Sequence, residues 1–135
     1  MENCIFCKIA NKEIPNYTVR EDEHSLAFLD INPHAKGHTV VIPKQHAETT
    51  LGMSEEEFAK FAVSVKRTVE VVNKVLAPDG FNVGWNHGVS GGQAVFHLHV
   101  HILPRYGGDG GGSMHSIVDN AGTTPVEKVA KLFQS

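Results

Sequence analysis

Three histidines alternate with apolar residues in one short run, His97-Leu98-His99-Val100-His101. A neutral imidazole can attack phosphorus, because its pKa of about 6.5 leaves one ring nitrogen with a free lone pair near pH 7. The attack gives a phospho-histidine that water can hydrolyse. A second histidine nearby can donate a hydrogen bond to the phosphate oxygens. The run therefore predicts covalent chemistry at a phosphate. The alternative is that the three histidines form a solvent-exposed polar face of a strand.

The spacing of these histidines limits what they can do together. Residues two apart in a strand face the same side, so a strand over Val95–Leu103 places all three on one face. The core face would then carry Phe96, Leu98, Val100 and Ile102. The Cα atoms of His97 and His101 would lie roughly 13 Å apart, too far to share one zinc at about 2.0 Å without a bend. We therefore expect the three to have different roles.

A Cys-x-x-Cys pair, Cys4 and Cys7, stands near the N-terminus. Residues three apart on a helical turn share a face, so the two thiols can hold one metal ion. The stretch from Met1 to Lys8 lacks the apolar segment of a signal peptide, and we expect a cytoplasmic protein. In that setting the pair indicates metal binding or redox chemistry sooner than a disulfide. Two reduced core cysteines are the alternative, and no thioredoxin-like context favours a redox pair.

The composition is that of an ordinary soluble domain. The chain has 135 residues and a formal net charge of −3, with no long run of like charges. This argues against nucleic-acid and anionic-membrane partners. The same composition is compatible with a small basic pocket that binds a phosphorylated metabolite. We expect one domain over residues 1–135, with a tail from about residue 107 that begins with a flexible glycine-rich segment, Gly107–Gly112.

The periodicity predicts an α+β fold, in which an antiparallel sheet of about five strands packs with one long helix and short N- and C-terminal helices. The long helix spans Ser54–Leu76 and begins with a capping box of Ser54 and Glu57. Its sheet-facing side should carry Phe58, Phe61, Ala62, Val65, Val69, Val72 and Leu76. The predicted strands are Val19–Glu21, Ser25–Leu29, His38–Ile42, Phe81–Trp85 and Val95–Leu103, and the short helices are Cys4–Ala10 and Pro125–Phe133.

The chain resembles the histidine triad family. The family motif, in which three histidines alternate with apolar residues and two more apolar residues follow, is met in full by His97–Leu103. The resemblance covers about residues 3–106. Four further blocks occur in the family's order: Cys4–Ile9, Leu26–Ile31, Gly37–Lys44 and Gly91–Phe96.

The resemblance implies a catalytic set. His99 is the nucleophile that becomes nucleotidylated, and His101 hydrogen-bonds the oxygens of the α-phosphate. Gln93 bonds the scissile region, His38 supports the triad, and Asn86 lines the phosphate site. The implied activity is a nucleotidyl hydrolase or transferase. Its substrates would be purine nucleotide conjugates, either nucleoside phosphoramidates or adenosine polyphosphates, and no catalytic metal is required.

The resemblance also implies how the nucleotide and a metal are held. Asp30 would accept hydrogen bonds from the ribose hydroxyls, with loop capping as the alternative. Phe6, Phe28 and Ile31 would sandwich the purine, with plain core packing as the alternative for the last two. A structural zinc would be bound by Cys4, Cys7, His46 and His97. Members of the family are generally homodimers.

Some features leave other functions open. One branch of the family has a serine after the glutamine and a Trp-Pro-Pro tail, whereas this chain has Ala94 and continues Pro104-Arg105-Tyr106. Substrate preference is therefore not carried over from that branch. A nucleotide sensor or partner-binding module with little turnover is the second hypothesis. A zinc hydrolase with the histidines as catalytic ligands is the third, and the lack of a carboxylate base near the triad counts against it.

Overall fold

The computed structural model describes residues 3–134 and confirms the predicted α+β fold. Five strands form one antiparallel sheet: β1 (Thr18–Glu21), β2 (Ser25–Leu29), β3 (Thr39–Pro43), β4 (Gly80–Gly84) and β5 (Val100–Arg105). Their order across the sheet is β1-β2-β3-β5-β4, so the last strand in sequence lies inside the sheet. The α-helices are α1 (Ile5–Ala10), α2 (Glu55–Leu76) and α3 (Val126–Lys131).

Helix α2 covers one face of the sheet. It begins with the predicted capping box, in which the Ser54 hydroxyl accepts the Glu57 backbone N–H and the Glu57 carboxylate accepts that of Ser54. Its buried residues are Phe61, Ser64, Thr68 and Val72. Ala62, which was expected to face the sheet, is exposed. Of the other predicted residues, Phe58, Phe61, Val65, Val69 and Val72 are buried or pack against the core. The apolar pattern did not identify Ser64 and Thr68 on this face, where each hydroxyl has a hydrogen-bond acceptor.

The predicted strand Val95–Leu103 is wrong in its first half. Ladder pairing begins at Val100, and residues 95–97 form a bend. Strict alternation fails in that bend, since His97 and Leu98 are both buried while Phe96 is 47% exposed. From Val100 onward the alternation holds, and the even-numbered residues face α2. His97 and His99 therefore sit in irregular chain, and only His101 lies in a strand.

Strand β5 also continues past Leu103, the last residue of the predicted strand, and ends at Arg105. It pairs with β3 only as far as Ile102, while its pairing with β4 runs on to Arg105. Beyond Ile102 the strand therefore has a neighbour on one side only, where a residue without an N–H is tolerated. Pro104 is buried there. The extra residues place Arg105 on the same face of β5 as His101.

The residues after β5 lie on the surface and include the short helix α3, close to its predicted range. Between residues 3 and 134, none of the helices combines the length and the apolar character needed to cross a bilayer.

A partly buried carboxylate, that of Asp22, ties α2 to the β1–β2 turn. Asp22 accepts hydrogen bonds from the Ser64 hydroxyl at 2.7 Å and from Arg20 Nη1 at 2.6 Å. Its other oxygen accepts the backbone N–H groups of His24 and Ser25. Burial raises the pKa of Asp22, but these donors together outweigh that effect and hold the pKa well below its usual range.

We expect Asp22→Asn to lower the free energy of unfolding by about 2 kcal/mol, because the amide turns a donor toward Arg20 and leaves that charge without its acceptor. Urea unfolding measures the change. Asp119→Asn, in the exposed tail, is the matched control. Equal stability of both variants would contradict the role given to Asp22.

Candidate active site and metal cluster

His99 has one ring nitrogen free for chemistry. Its Nδ1 lies 2.8 Å from the backbone carbonyl oxygen of His97. A carbonyl can only accept, so Nδ1 carries the proton and donates, and the lone pair is on Nε2. The side chain is only 7% exposed. The Phe6 ring packs edge-on against it, with centroids 5.0 Å apart. This is the tautomer and the restraint that a nucleophilic imidazole requires.

A chain of hydrogen bonds sets the tautomer of the neighbouring His101. The backbone N–H of His34 donates to His38 Nδ1 at 3.2 Å, so the proton of neutral His38 is on Nε2. That Nε2 lies 2.9 Å from His101 Nδ1 and donates to it. His101 then keeps its own proton on Nε2. The ring centroids of His99 and His101 are 5.0 Å apart, so a donor and a lone pair stand side by side.

Burial keeps this relay uncharged at neutral pH. It lowers the pKa of His101 to about 4, and repulsion from His99 and His38 adds to the effect. Burial also lowers the pKa of His38, although the carboxylate of Asp30 opposes the shift. Asp30 Oδ2 lies 3.6 Å from His38 Nε2, beyond hydrogen-bond distance. These three side chains could also be read as metal ligands, but the hydrogen bond between the two histidines already accounts for their closeness.

The residues predicted to hold the nucleotide lie around His99 and His38. The rings of Phe6 and Phe28 meet edge-on at 5.8 Å, and Phe6 bridges Phe28 and His99. Phe28 is buried in the core, whereas Ile31 is 78% exposed and available to a ligand. Asp30 caps its loop by accepting the Asn32 backbone N–H at 2.8 Å. Its Oδ2 remains directed toward His38.

The side-chain amide of Gln93 is fully used in hydrogen bonds that hold the loop before the histidines. Its Oε1 accepts the Gly88 backbone N–H, and its Nε2 donates to the carbonyls of Glu48 and Val95. The loop turns at Gly92, whose φ of +91° suits glycine. Asn86 lies beside that turn and is exposed. In this arrangement Gln93 shapes the loop, and its bond to the scissile region stays a prediction.

Four ligand atoms from distant parts of the chain converge in a second site. The sulfur atoms of Cys4 and Cys7 lie 3.3–3.5 Å from the Nδ1 atoms of His46 and His97, and those two nitrogens are 3.2 Å apart. Around a tetrahedral zinc with ordinary bond lengths, the S···N and N···N separations are about 3.5 Å and about 3.4 Å. The cluster matches the predicted ligand set and can hold a metal ion of this kind.

The protonation of the cluster also suits a cation. His97 Nε2 donates to the Pro43 carbonyl at 2.8 Å, so its Nδ1 presents a lone pair to the cluster. Burial lowers the pKa of His97 to about 4, which keeps that lone pair free at neutral pH. Burial and the neighbouring Cys4 raise the pKa of the Cys7 thiol to about 11 when no cation is near. A divalent ion would reverse that preference, because a coordinating thiol is deprotonated.

Comparison with known proteins identifies the family. Residues 11–108 match the HIT domain. The chain belongs to the HIT domain family. This HIT domain is 57% identical over 107 residues to an uncharacterized HIT-like protein from Methanocaldococcus jannaschii, with 79% of this chain and 82% of that protein covered. It is 44% identical over 103 residues to an adenosine 5′-monophosphoramidase from Schizosaccharomyces pombe, covering 76% and 74%.

A solved structure described as a zinc-bound histidine triad protein from Mycobacterium smegmatis is also similar to this HIT domain. It superposes with a TM-score of 0.75 at 37% identity, and the match covers 81% of this chain and 79% of that one. The likeness confirms the fold.

Sequence reasoning missed the backbone groups that fix the tautomers. The carbonyls of His97 and Pro43 and the N–H of His34 carry no residue-type signal, and only the folded chain brings them to the rings. It also missed Arg105 and Asp109, which form an ion pair with N···O distances of 2.8 and 2.9 Å. Their opposite charges four residues apart, on either side of Gly107 and Gly108, were the available signal.

The low pKa of His101 predicts acid sensitivity. Between about pH 6.5 and 4 the unfolded chain binds a proton that the folded chain does not, so stability is complete above pH 6.5 and is lost as the pH falls toward 4. We expect His101→Gln, whose amide oxygen can still accept from His38, to reduce the stability lost between pH 7 and 4.5 by about 1–2 kcal/mol after solvent screening. Urea unfolding at the two pH values measures this. His115→Gln, in the exposed tail, should match the parent, and an unchanged loss in His101→Gln would refute the assignment.

Proposed function

We propose that this HIT domain is a nucleotidyl hydrolase or transferase that cleaves purine nucleotide conjugates at the α-phosphate through a nucleotidyl-His99 intermediate. The observation that carries the proposal is the hydrogen bond from His99 Nδ1 to the His97 carbonyl, which leaves the lone pair of this buried side chain on Nε2. The similarity to a protein named adenosine 5′-monophosphoramidase supports the substrate class.

The first step forms a bond between His99 Nε2 and the α-phosphorus and breaks the bond from phosphorus to the leaving group. The leaving group departs with the electron pair of that bond and takes a proton. His101 Nε2–H is the donor placed beside the nucleophile and bonds a phosphate oxygen, while the leaving group takes its proton from water. The His99 ring, bonded to phosphorus at Nε2 and still protonated at Nδ1, carries a positive charge that the His97 carbonyl stabilises. The hydrogen bond from His38 Nε2–H to His101 Nδ1 keeps His101 in its donor form.

The second step returns the enzyme to its starting state. Water attacks the phosphorus, the P–N bond to His99 breaks, and the nucleoside monophosphate leaves. The electron pair of the P–N bond returns to His99 Nε2, and the attacking water gives its proton to the solvent. In a transferase reaction another nucleophile replaces the water. His101 stays neutral as a hydrogen-bond donor in both steps, and His99 keeps its proton on Nδ1.

The nucleoside is proposed to lie against Phe6, Phe28 and Ile31, with its ribose hydroxyls on Asp30. The exposed Ile31 and the half-buried ring of Phe6 provide an apolar surface for a purine, with Phe28 packed edge-on behind Phe6. Asn86 is proposed to line the phosphate site together with the backbone N–H groups of the Gly91–Gly92 turn. The resemblance to the family also leads us to propose a homodimer that works in the cytoplasm.

We propose that Cys4, Cys7, His46 and His97 hold a structural zinc ion. Their separations match a tetrahedral site, and the similarity to a zinc-bound histidine triad structure supports the choice of metal. All four ligands are protein atoms, so a bound zinc would serve as a cross-link and not as a site for water. It would join the start of α1 to the bend before β5.

His99→Ala should lower turnover of adenosine 5′-phosphoramidate at least roughly 100-fold and abolish the covalent adduct, because no other lone pair occupies its position. Release of adenosine monophosphate gives the rate, and intact-mass spectrometry after acid quench detects the adduct. His115→Ala is the control. Full activity of His99→Ala would contradict the proposed mechanism. Tight nucleotide binding by the parent chain with neither adduct nor turnover would instead favour the sensor hypothesis.

The purified chain should contain about one zinc per protomer by elemental analysis, and Cys4→Ser/Cys7→Ser should contain none. Because a bound metal stabilises the folded state, the double variant should also melt at a lower temperature. His24→Ala, an exposed histidine outside the cluster, should keep its zinc. A zinc content unaffected by the cysteine substitutions would show that the metal binds elsewhere.

A further inference from the structure

The Cys/His cluster carries reactive groups that a purely cross-linking role does not use. Cys4 and Cys7 are the only cysteines of the chain, and both are half-buried, as is His46 beside them. A small oxidant from the solvent can therefore reach the two sulfur atoms. Thiolates are oxidised readily and reversibly, whereas the imidazole ligands of the cluster are not.

The local geometry allows the two sulfur atoms to bond to each other. Cys4 is the N-cap of α1, and Cys7 lies three residues on, in its first turn. Cα atoms three residues apart in a helical turn are about 5 Å apart, within the range of about 4.4–6.8 Å that disulfides span. The Cys7 backbone N–H donates to Cys4 Sγ at 3.1 Å, so that sulfur already lies over the turn. A disulfide would therefore close within one turn of α1.

That disulfide and a bound metal ion exclude each other. Two thiolates on a tetrahedral zinc lie about 3.8 Å apart, whereas a disulfide holds its sulfur atoms at about 2.0 Å and leaves no thiolate to donate. The cluster would retain the Nδ1 atoms of His46 and His97, which are 3.2 Å apart. Two neutral imidazoles are half of the ligand set that a structural zinc requires. Oxidation of the pair would therefore release the ion.

Phe6 connects this event to the candidate active site. It lies between the two cysteines in sequence, and its ring meets His97 and His99 edge-on, with centroids 6.0 and 5.0 Å apart. A metal ion in the cluster fixes the residues on both sides of Phe6 to His97. Once the ion is lost, the buried Ile9 and Ala10 still hold the far end of α1 in the core. The first turn, which carries Phe6, then has fewer restraints.

We propose that Cys4 and Cys7 form a site of reversible oxidation, at which a hydroperoxide converts the two metal-bound thiolates into a disulfide, releases the ion and weakens binding at the nucleotide site. The inference rests on the proposed zinc ion and nucleotide site and goes beyond both. It concerns a modification of the chain itself. Disulfide exchange with other proteins is a different activity, which a thioredoxin-like context would indicate.

The oxidation takes place in two steps. One thiolate attacks the hydroperoxide, so that an S–O bond forms, the O–O bond breaks and a hydroxide leaves. The second thiolate then attacks that sulfur, the S–S bond forms and the S–O bond breaks, which gives a second hydroxide. Two protons from the solvent convert the hydroxides into water. The two sulfur atoms supply the two electrons that reduce the peroxide, and the ion is released unchanged as a dication. A dithiol reductant reverses the step.

Hydrogen peroxide in small excess over the zinc-loaded chain tests the modification. We expect the zinc to pass to a chromogenic chelator, both thiols to become inert to iodoacetamide, and the intact mass to fall by two hydrogen atoms. Dithiothreitol followed by added zinc should restore the parent, which separates the disulfide from methionine sulfoxide. Cys4→Ser/Cys7→Ser should show none of these changes. His24→Ala, an exposed histidine outside the cluster, should behave as the parent.

Calorimetric titration with adenosine monophosphate tests the coupling, and this binding requires no turnover. Oxidation should raise the Kd of the parent roughly threefold to tenfold, the worth of one aromatic contact. Cys4→Ser/Cys7→Ser should bind as weakly as the oxidised parent, with or without peroxide. Phe6→Ala should bind weakly in both redox states, with no difference between them, because the ring that carries the coupling is absent. Phe133→Ala, which removes an exposed ring of the tail, should keep the response of the parent.

The two measurements separate this inference from the proposals on which it rests. It is overturned if peroxide leaves the thiols and zinc of the loaded chain intact, or if the disulfide forms while the Kd of the parent is unchanged. A response of Phe6→Ala equal to that of the parent would overturn the route through the ring. A purified chain that never contained zinc, yet forms the disulfide and loses affinity, would overturn only the zinc proposal. Zinc release and weaker binding in a chain that turns over no phosphoramidate would overturn only the proposed catalysis.

Discussion

The peptide carbonyl of His97 is the constraint on which the active site depends. By accepting the Nδ1–H of His99 at 2.8 Å, it decides which nitrogen of that ring is free to react. The same residue uses its side chain elsewhere, since its Nδ1 belongs to the Cys/His cluster and its Nε2–H bonds Pro43. One residue therefore ties the tautomer of the proposed nucleophile to the cluster that fixes the start of α1.

Helix α1 adds a second connection between the cluster and His99. Phe6 lies between the two cysteines in sequence, and its ring contacts both His97 and His99 edge-on. Whatever holds Cys4 and Cys7 in place therefore also positions the aromatic wall of the site. The chain gains rigidity here without a regular strand, because residues 95–97 form a bend in which ladder bonds are replaced by side-chain and carbonyl contacts.

Alternation and motif spacing predicted the parts of this molecule that depend on local geometry. The capping box of α2 and the five-stranded antiparallel sheet follow from such rules. The separate roles expected for the outer histidines stay a prediction. The predicted strand begins five residues too early. The contacts of His97 with Cys4 and Cys7 are tertiary interactions, and the two-residue alternation of the sequence carries no information about them. The glycine-rich segment was expected to be flexible from its composition. Its actual path depends on Arg105, at the end of β5, which donates a hydrogen bond to the Gly112 carbonyl.

Burial keeps His38 and His101 uncharged in the candidate active site at neutral pH. A protonated imidazole has no lone pair for phosphorus, and a chain of charged histidines would repel one another at the separations seen here. Placing His38 and His101 in the wall of the core lowers the pKa of each, so the relay stays neutral with one proton on each ring. That neutrality costs stability in acid but leaves a donor at His101 Nε2 and a lone pair at His99 Nε2, which are the two groups that transfer at phosphorus needs.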